Sequence, residues 1–405
     1  MKLFHTLLIA MLVLCTKQAQ AQTMKVYTGP VITAIPSTTA GDIEFAPDRT
    51  FTVMGNHFRI ADVDQIIVDR SSCPTQSVQV EYKDNQAQVI VSGDVAPLLD
   101  INVTGAHVRI LADTTSVTEV KYILSGTSNN GSFYMDGKYK AGLMLYNLNL
   151  TNPDSAAINI ACGKRIEVCL PAGTTTTLSD GPNKLNKACF FIDGHAEFIG
   201  SGTLNLSGKS HHAYASNEYT WFKPEFGTLN ITSAEGDGLH VEQFLRIESG
   251  QINISNTKGD CIDVKGKLRR ILPDNGKAFI SGGHLNLQVT ADDTKGLKCD
   301  SVMTITGGSI TANVAGNGCK GLSAGTDLFL NNSSGTNPQI EMEVSGTTYM
   351  PRDPILESKC RGIKVKRNFI FDGGNIHMNV TGSKAKGISV DGIVNYISGT
   401  SNVYW

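Results

Sequence analysis

The segments GTLNL (202–206), GTLNI (227–231), GQINI (250–254), GHLNL (283–287), GSITA (308–312), PQIEM (338–342) and GNIHM (374–378) repeat one pattern: a turn residue, then alternating side-chain character. Their starts are separated by 25, 23, 33, 25, 30 and 36 residues, a basic period of 23 to 25 with insertions. Self-similarity at such a period marks a solenoid, in which a repeat buries its apolar edge by stacking on its neighbours.

Each period carries two more short apolar pieces. Before the glycine turn stand AEFIGSG (196–202), FLRIESG (244–250), AFISGG (278–283), MTITGG (303–308), DLFLNN (327–332) and FIFDGG (369–374). After the phrase come GDGLHV (236–241), GDCIDV (259–264), TKGLKC (294–299), CKGLSA (319–324), CRGIKV (360–365) and AKGISV (385–390). Three strands per turn, joined by Gly, Asp and Asn, leave no room for a crossover helix. The expected fold is all-β: a right-handed, single-stranded parallel β-helix.

Alternation sets the faces. In GTLNIT, Leu229 and Ile231 point inward while Thr228 and Asn230 point outward, because successive strand side chains alternate. Rungs about 4.8 Å apart turn equivalent residues into columns along the solenoid. Forty-one glycines and 18% charged residues suit an all-β chain. The net charge of −2 points to neither nucleic acid nor an anionic membrane as partner.

Residues 1–21 combine Lys2, an apolar run from Leu7 to Leu14 and Ala19-Gln20-Ala21, the pattern of a secretory leader cleaved before Gln22. Leu14 precedes Cys15, where a lipoprotein site wants a small residue. Export to the periplasm, cell surface or medium is expected, and no later segment has the length to span a membrane. Residues 22–76 read as a small β-rich module capping the solenoid's open end. Residues 77–405 read as the β-helix, with the strands from Ser77 through IEVCLPAG (166–173) as early, less regular rungs. Of eight later cysteines none shows zinc-finger spacing. Cys319 and Cys360 hold equivalent positions, as stacked thiols or a disulfide.

The stretches VEYKDNQAQVIVSG (80–93), YILSGTSNNGSF (122–133), PAGTTTTLSDG (171–181) and ITSAEGDGLHV (231–241), with the recurring KGI turn, resemble a β-helix family of secreted bacterial carbohydrate-binding proteins structurally related to pectate lyases. The resemblance covers roughly 77–405. It implies a non-catalytic, calcium-binding module that holds polysaccharides such as cellulose or polygalacturonate. The family's turns are often acidic, whereas here only the first two are.

That departure supplies the sharpest chemical signal. The residue before the repeated glycine, or its equivalent, runs Asp237, Asp260, Lys295, Lys320, Arg361, Lys386. Two unit charges about 5 Å apart repel by roughly 0.8 kcal/mol in water and about 3 kcal/mol at an effective dielectric near 20. Asp263, Asp292, Asp293, Asp300 and Asp391 can offset a cationic ladder internally, or an anionic polymer can do so through charge-assisted hydrogen bonds. Lys298 and Lys364 join the expected ligand set. Asp237, Asp260, Asp263, Asp292 and Asp293 can offer oxygens to calcium, although Asp in Gly-rich turns also bonds its own backbone. Asn205, Asn230, Asn253 and Asn286 form an outward amide column, either an internal ladder or a set of sugar contacts.

His211 to Phe226 is rich in rings, and Trp221 is the candidate sugar contact there. No residue is assigned a catalytic role. The expected function is non-catalytic polysaccharide binding. The alternatives are a structural or adhesive surface protein and a calcium-dependent lyase using Arg361 or Lys320 as base with Asp260 and Asp263 on the metal. Oligomeric state stays open.

Overall fold

The computed structural model describes residues 22–73, 75–112, 119–183, 186–267, 271–332, 335–351 and 357–405. The expected leader, 1–21, lies outside them. The chain winds as a parallel β-helix with three strands per turn. One turn shows the plan: Phe244–Ile247, Gln251–Ile254 and Ile262–Lys265 each pair in parallel with the strand one rung on, Lys277–Ile280, His284–Val289 and Lys295–Cys299. We call these three faces the second, third and first, the first being the one that carries the Lys-Gly-Ile turns.

The first face is a twelve-stranded sheet among the described residues, from Asp100–Thr104 to Lys386–Val390. The other two faces merge into one larger sheet, because long strands such as Lys140–Asn152 and Phe369–Val380 bend at a positive-φ corner, Asn147 in the first and Gly373-Gly374 in the second, and pair on both. Alternation drives the core as expected: Leu229 and Ile231 are buried, Thr228 and Asn230 half-buried. Leu204, Leu229, Ile252, Leu285, Ile310, Ile340 and Ile376 stand in one unbroken register. All seven are buried, each contributing about 1.5–3 kcal/mol of transfer free energy.

The N-terminal module has its own apolar cluster of Met24, Val26, Ile35, Phe51, Val53 and Phe58, while Val78 opens the main core. Val31–Pro36 pairs in parallel with Gln86–Ser92, so backbone bonds join the module to the coil's end. The segment 77–112, expected among the early rungs, pairs in parallel with the coil through Ser77–Lys83 and Ala106–Leu111 but also doubles back on itself. Ser77–Lys83 pairs antiparallel with Gln86–Ser92, and Asp100–Thr104 antiparallel with Ala106–Leu111. Tight turns at Asp84 (φ 54°) and Gly105 (φ 58°) close these hairpins, and such turns leave no chain for a parallel crossover. The regular coil starts with Glu119–Ser128 and Gly131–Asp136. Cys319 and Cys360 are free, buried thiols. No helix among the described residues is long and apolar enough to cross a membrane.

The repeated glycine of the first face has a steric cause. A Cβ at Gly321 would lie 2.7 Å from the Gly362 carbonyl oxygen and 2.6 Å from Met342 Sδ; at Gly296 it would lie 2.5 Å from the Gly321 oxygen. Each rung's glycine thus receives the backbone of the next. Gly321→Ala should lower stability by about 1–3 kcal/mol through overpacking, read as a drop in thermal midpoint, whereas Lys320→Ala, one residue earlier, should cost less.

Candidate functional site

The first face presents two outward columns. In one, Lys295, Lys320, Arg361 and Lys386 stand opposite one another rung by rung. Extending the same register upstream places Asp260, Asp237 and His212 above them. In the other, His240, Asp263, Lys298, Ser323, Lys364 and Ser389 follow in order. The inserted loops leave the stack intact.

Internal partners take most of these cations. Lys295 and Lys320 share Asp293, at 3.7 and 3.4 Å. Lys320 Nζ also donates to the Gly318 carbonyl at 2.6 Å and to Ser358 Oγ at 2.5 Å. Burial opposes the charge on Asp293, but the Ser358 hydroxyl, Lys295 and Lys320 outweigh it and hold the carboxyl below its usual range. Burial pulls Lys320 below the ordinary lysine range, with Asp293 acting against the shift and Lys295 adding to it. Lys298 bonds Asp263 at 2.8 Å, with Asp260 and Asp300 each 3.9 Å away. Lys364 pairs with Asp391.

Arg361 and Lys386 differ. Among the described residues Arg361 donates to two carbonyls, those of Cys360 at 2.6 Å and Lys384 at 3.3 Å. Neither has a carboxylate partner among the described residues, and Lys386 is exposed.

Of the five acidic residues expected at a metal, three converge: Asp237, Asp260 and Asp263 bring carboxylate oxygens within 4.8 Å of one another. Asp292 and Asp293 do not join them. Asp292 accepts the Asn317 N–H at 2.9 Å, and Asp293 holds the lysines. The converging three are partly spent. Asp237 accepts the Asp260 N–H and Asp260 the Lys295 N–H, both at 2.8 Å, so each aspartate ties its rung to the next. Calcium asks for six to eight oxygens, and this set covers part of such a shell. Burial, reinforced by Asp237 and Asp263 and opposed by Lys295 and Lys298, raises Asp260 to about 6.

Two histidines complete the cluster: His212, from the ring-rich stretch, and His240, which the sequence reading did not single out. His240 Nδ1 lies 2.9 Å from Asp237 Oδ2 and 3.5 Å from Asp263 Oδ2. His212 stacks on His240 with ring centroids 4.3 Å apart. Its Nδ1 accepts the Asp237 N–H at 2.9 Å. Burial, then His240, lower His212 to about 3, so its 3.3 Å approach to Asp237 is not an ion pair at neutral pH. The signal was present: His240 fills the place of Asp263 when GDGLHV is laid on GDCIDV.

Trp221 is on the second face, in register with Glu197 and Arg246, and so apart from the cations. Lys223 and Arg246 lie over its ring at 5.0 and 5.3 Å. The third-face amides form an internal ladder: Asn253 donates to Asn230 at 2.8 Å and Asn230 to Asn205 at 2.9 Å. Asn286 instead accepts from Gln288 at 3.2 Å.

A parallel β-helix with charged columns on one face defines the class of fold. Within that class the chain belongs to the carbohydrate-binding domain-containing family, whose model matches residues 104–403. No curated protein matches. Among solved structures, the chain is similar to a polysaccharide lyase-like protein from C. thermocellum, determined as a gadolinium derivative. Identity is 16%, with 80% of this chain and 99% of that chain covered and a TM-score of 0.48.

The histidine geometry yields a pH prediction. His212 has a folded-state pKa near 3 against 6.5 unfolded, so its contribution to stability is present above about 6.5 and is lost as pH falls toward 3. Asp260, raised from 3.8 to about 6, acts in the opposite sense between those values. The thermal midpoint should therefore fall as pH drops from about 7.5 to 6, above the interval in which Asp260 opposes it. In His212→Asn, whose amide oxygen can still accept the Asp237 N–H, that fall should shrink or reverse. An unaltered pH profile in the variant would remove His212 as the cause.

Proposed function

We propose that the protein is a non-catalytic binder of acidic polysaccharide, holding the polymer along the first face. The observation that carries this reading is the in-register cationic column, whose last two members, Arg361 and Lys386, have no carboxylate partner among the described residues. A chain of uronate units running along the face would bring carboxylates to these two cations, where charge-assisted hydrogen bonds form. The leader-like segment 1–21 supports export as the setting.

Calcium enters the proposal in a limited form. Asp237, Asp260 and Asp263 would hold the ion with water completing its shell, and its charge would relieve the repulsion between those carboxylates. Calcium should then raise the thermal midpoint relative to chelator by a few degrees, and Asp260→Asn should abolish the rise.

Binding itself is tested by retention on gels containing polygalacturonate at several salt concentrations. Arg361→Ala with Lys386→Ala should weaken retention roughly tenfold, at about 0.5–1 kcal/mol per exposed charge, and reduce its salt dependence. Retention unchanged in the double variant would remove these residues from the site. One observation favours chemistry as a second reading: burial holds Lys320 below the ordinary lysine range, two rungs from the acidic cluster. As a base it would take the proton next to a uronate carboxyl. Products with new ultraviolet absorption, lost in Lys320→Ala, would establish a lyase; intact polymer would leave the binder.

A further inference from the structure

The two ends of the coil differ. At the N-terminal end the module covers the first rungs, and the outermost strand of the large sheet, Gln65–Asp69, is five residues long and ends in a charge. At the other end Val394–Tyr404 and Lys386–Val390 are the last strands of their sheets, each paired on one side only among the described residues. The core columns run out there: Val394, Tyr396 and Val403 continue Phe369, Phe371 and Met378, while Ile388 and Val390 are only partly covered.

Free strand edges in natural proteins are kept short or carry Lys or Pro, because their unpaired N–H and C=O groups recruit other strands. Val394–Tyr404 is eleven residues long, and no charged residue or proline occurs from Gly392 to Trp405. Ile393, Val394, Tyr396, Ile397, Tyr404 and Trp405 are between 55% and 77% exposed. At roughly 200 Å² for a large side chain, they offer on the order of 700 Å², near the roughly 800 Å² that each partner gives to a standard interface.

We propose that the last rung is the docking surface for a second copy of this chain, giving a closed tail-to-tail dimer. The strand bends at Gly399 (φ 112°), with one arm on Phe369–Phe371 and the other on Asn375–Asn379. A two-fold axis through this corner, perpendicular to the solenoid, lays each arm antiparallel on the other arm of the second copy. With the axis between Ser398 and Gly399, Val394 meets Val403 and Tyr396 meets Ser401, so core positions cover core positions, and Asn395 meets Asn402 outside. The strand is thus complementary to itself, and no charge enters this seam. On the first face the same reversal sets Lys386 over the end of the strand that leads to Asp391, not over a second Lys386, so like charges do not meet. A head-to-tail stack would instead have to seat this rung on the module's short edge, and it would not close. The inference does not rest on glycan binding.

The test is sedimentation velocity of residues 22–405 over a range of concentrations. A species of twice the monomer mass should form, and nothing larger. Ile397→Lys, which brings an ammonium group from each copy to the seam, should weaken the dimer tenfold or more and leave the far-ultraviolet circular dichroism unchanged. Asn395→Cys combined with Asn402→Cys should give a covalent dimer on mild oxidation, because these positions face each other between copies but lie on different arms within one. Neither single substitution should do so. A monomer at every concentration, an assembly that keeps growing, a dimer untouched by Ile397→Lys, or a double-cysteine protein that stays uncrosslinked each overturns the proposal.

Discussion

In-register parallel pairing between successive turns is the constraint on which everything else depends. Each strand meets its equivalent one rung away, so Leu229 must meet Ile252 inside just as Lys320 must meet Arg361 outside. The inside of that rule gives apolar columns whose burial supplies the driving force. The outside gives charged columns whose members cannot separate. The fold therefore stacks like charges as a by-product of stacking its core, and the local chemistry has to absorb the result.

The molecule absorbs it in three ways along one face. Among the aspartates, backbone N–H groups and histidines serve as neutral or polar partners: Asp237 receives the Asp260 N–H and lies beside His240. In the middle rungs, opposite charges from the neighbouring column or an inserted loop do the work, as Asp263 does for Lys298 and Asp293 for Lys295 and Lys320. At the last rungs Arg361 turns to carbonyls and Lys386 to solvent. The gradient from acid to base thus ends where internal compensation is least, and the glycan-binding reading places the acidic polymer there.

Much of this was legible in the sequence because a period-two alternation inside a 25-residue repeat encodes both face and rung. The glycine phrases placed Leu229 and Ile231 in the core, and the turns set Lys295, Lys320, Arg361 and Lys386 in register. What was not legible depended on contacts without periodicity. Ser358 reaches Asp293 across 65 residues, a meeting set by two loops. The hairpins at 77–112 followed local turn chemistry at Asp84 and Gly105, which competed with the expectation that the coil simply continues.

The glycine of the Lys-Gly-Ile turn has a consequence for how such a face can change. Because the next rung's backbone fills the space of its Cβ, the path of the main chain at that corner is pinned whatever residue precedes it. Asp237 and Lys295 both precede such a glycine, Gly238 and Gly296, two rungs apart and with opposite charge, while Cys261 takes the glycine's place on the rung between them. Shape and chemistry are thereby separable where the outward side chain bonds no neighbouring backbone, as at Lys386, but not at Asp237 or Asp260, which accept N–H groups of the next rung. A binding surface of this kind can alter its preferred ligand through single substitutions, each read at a position the backbone has already assigned.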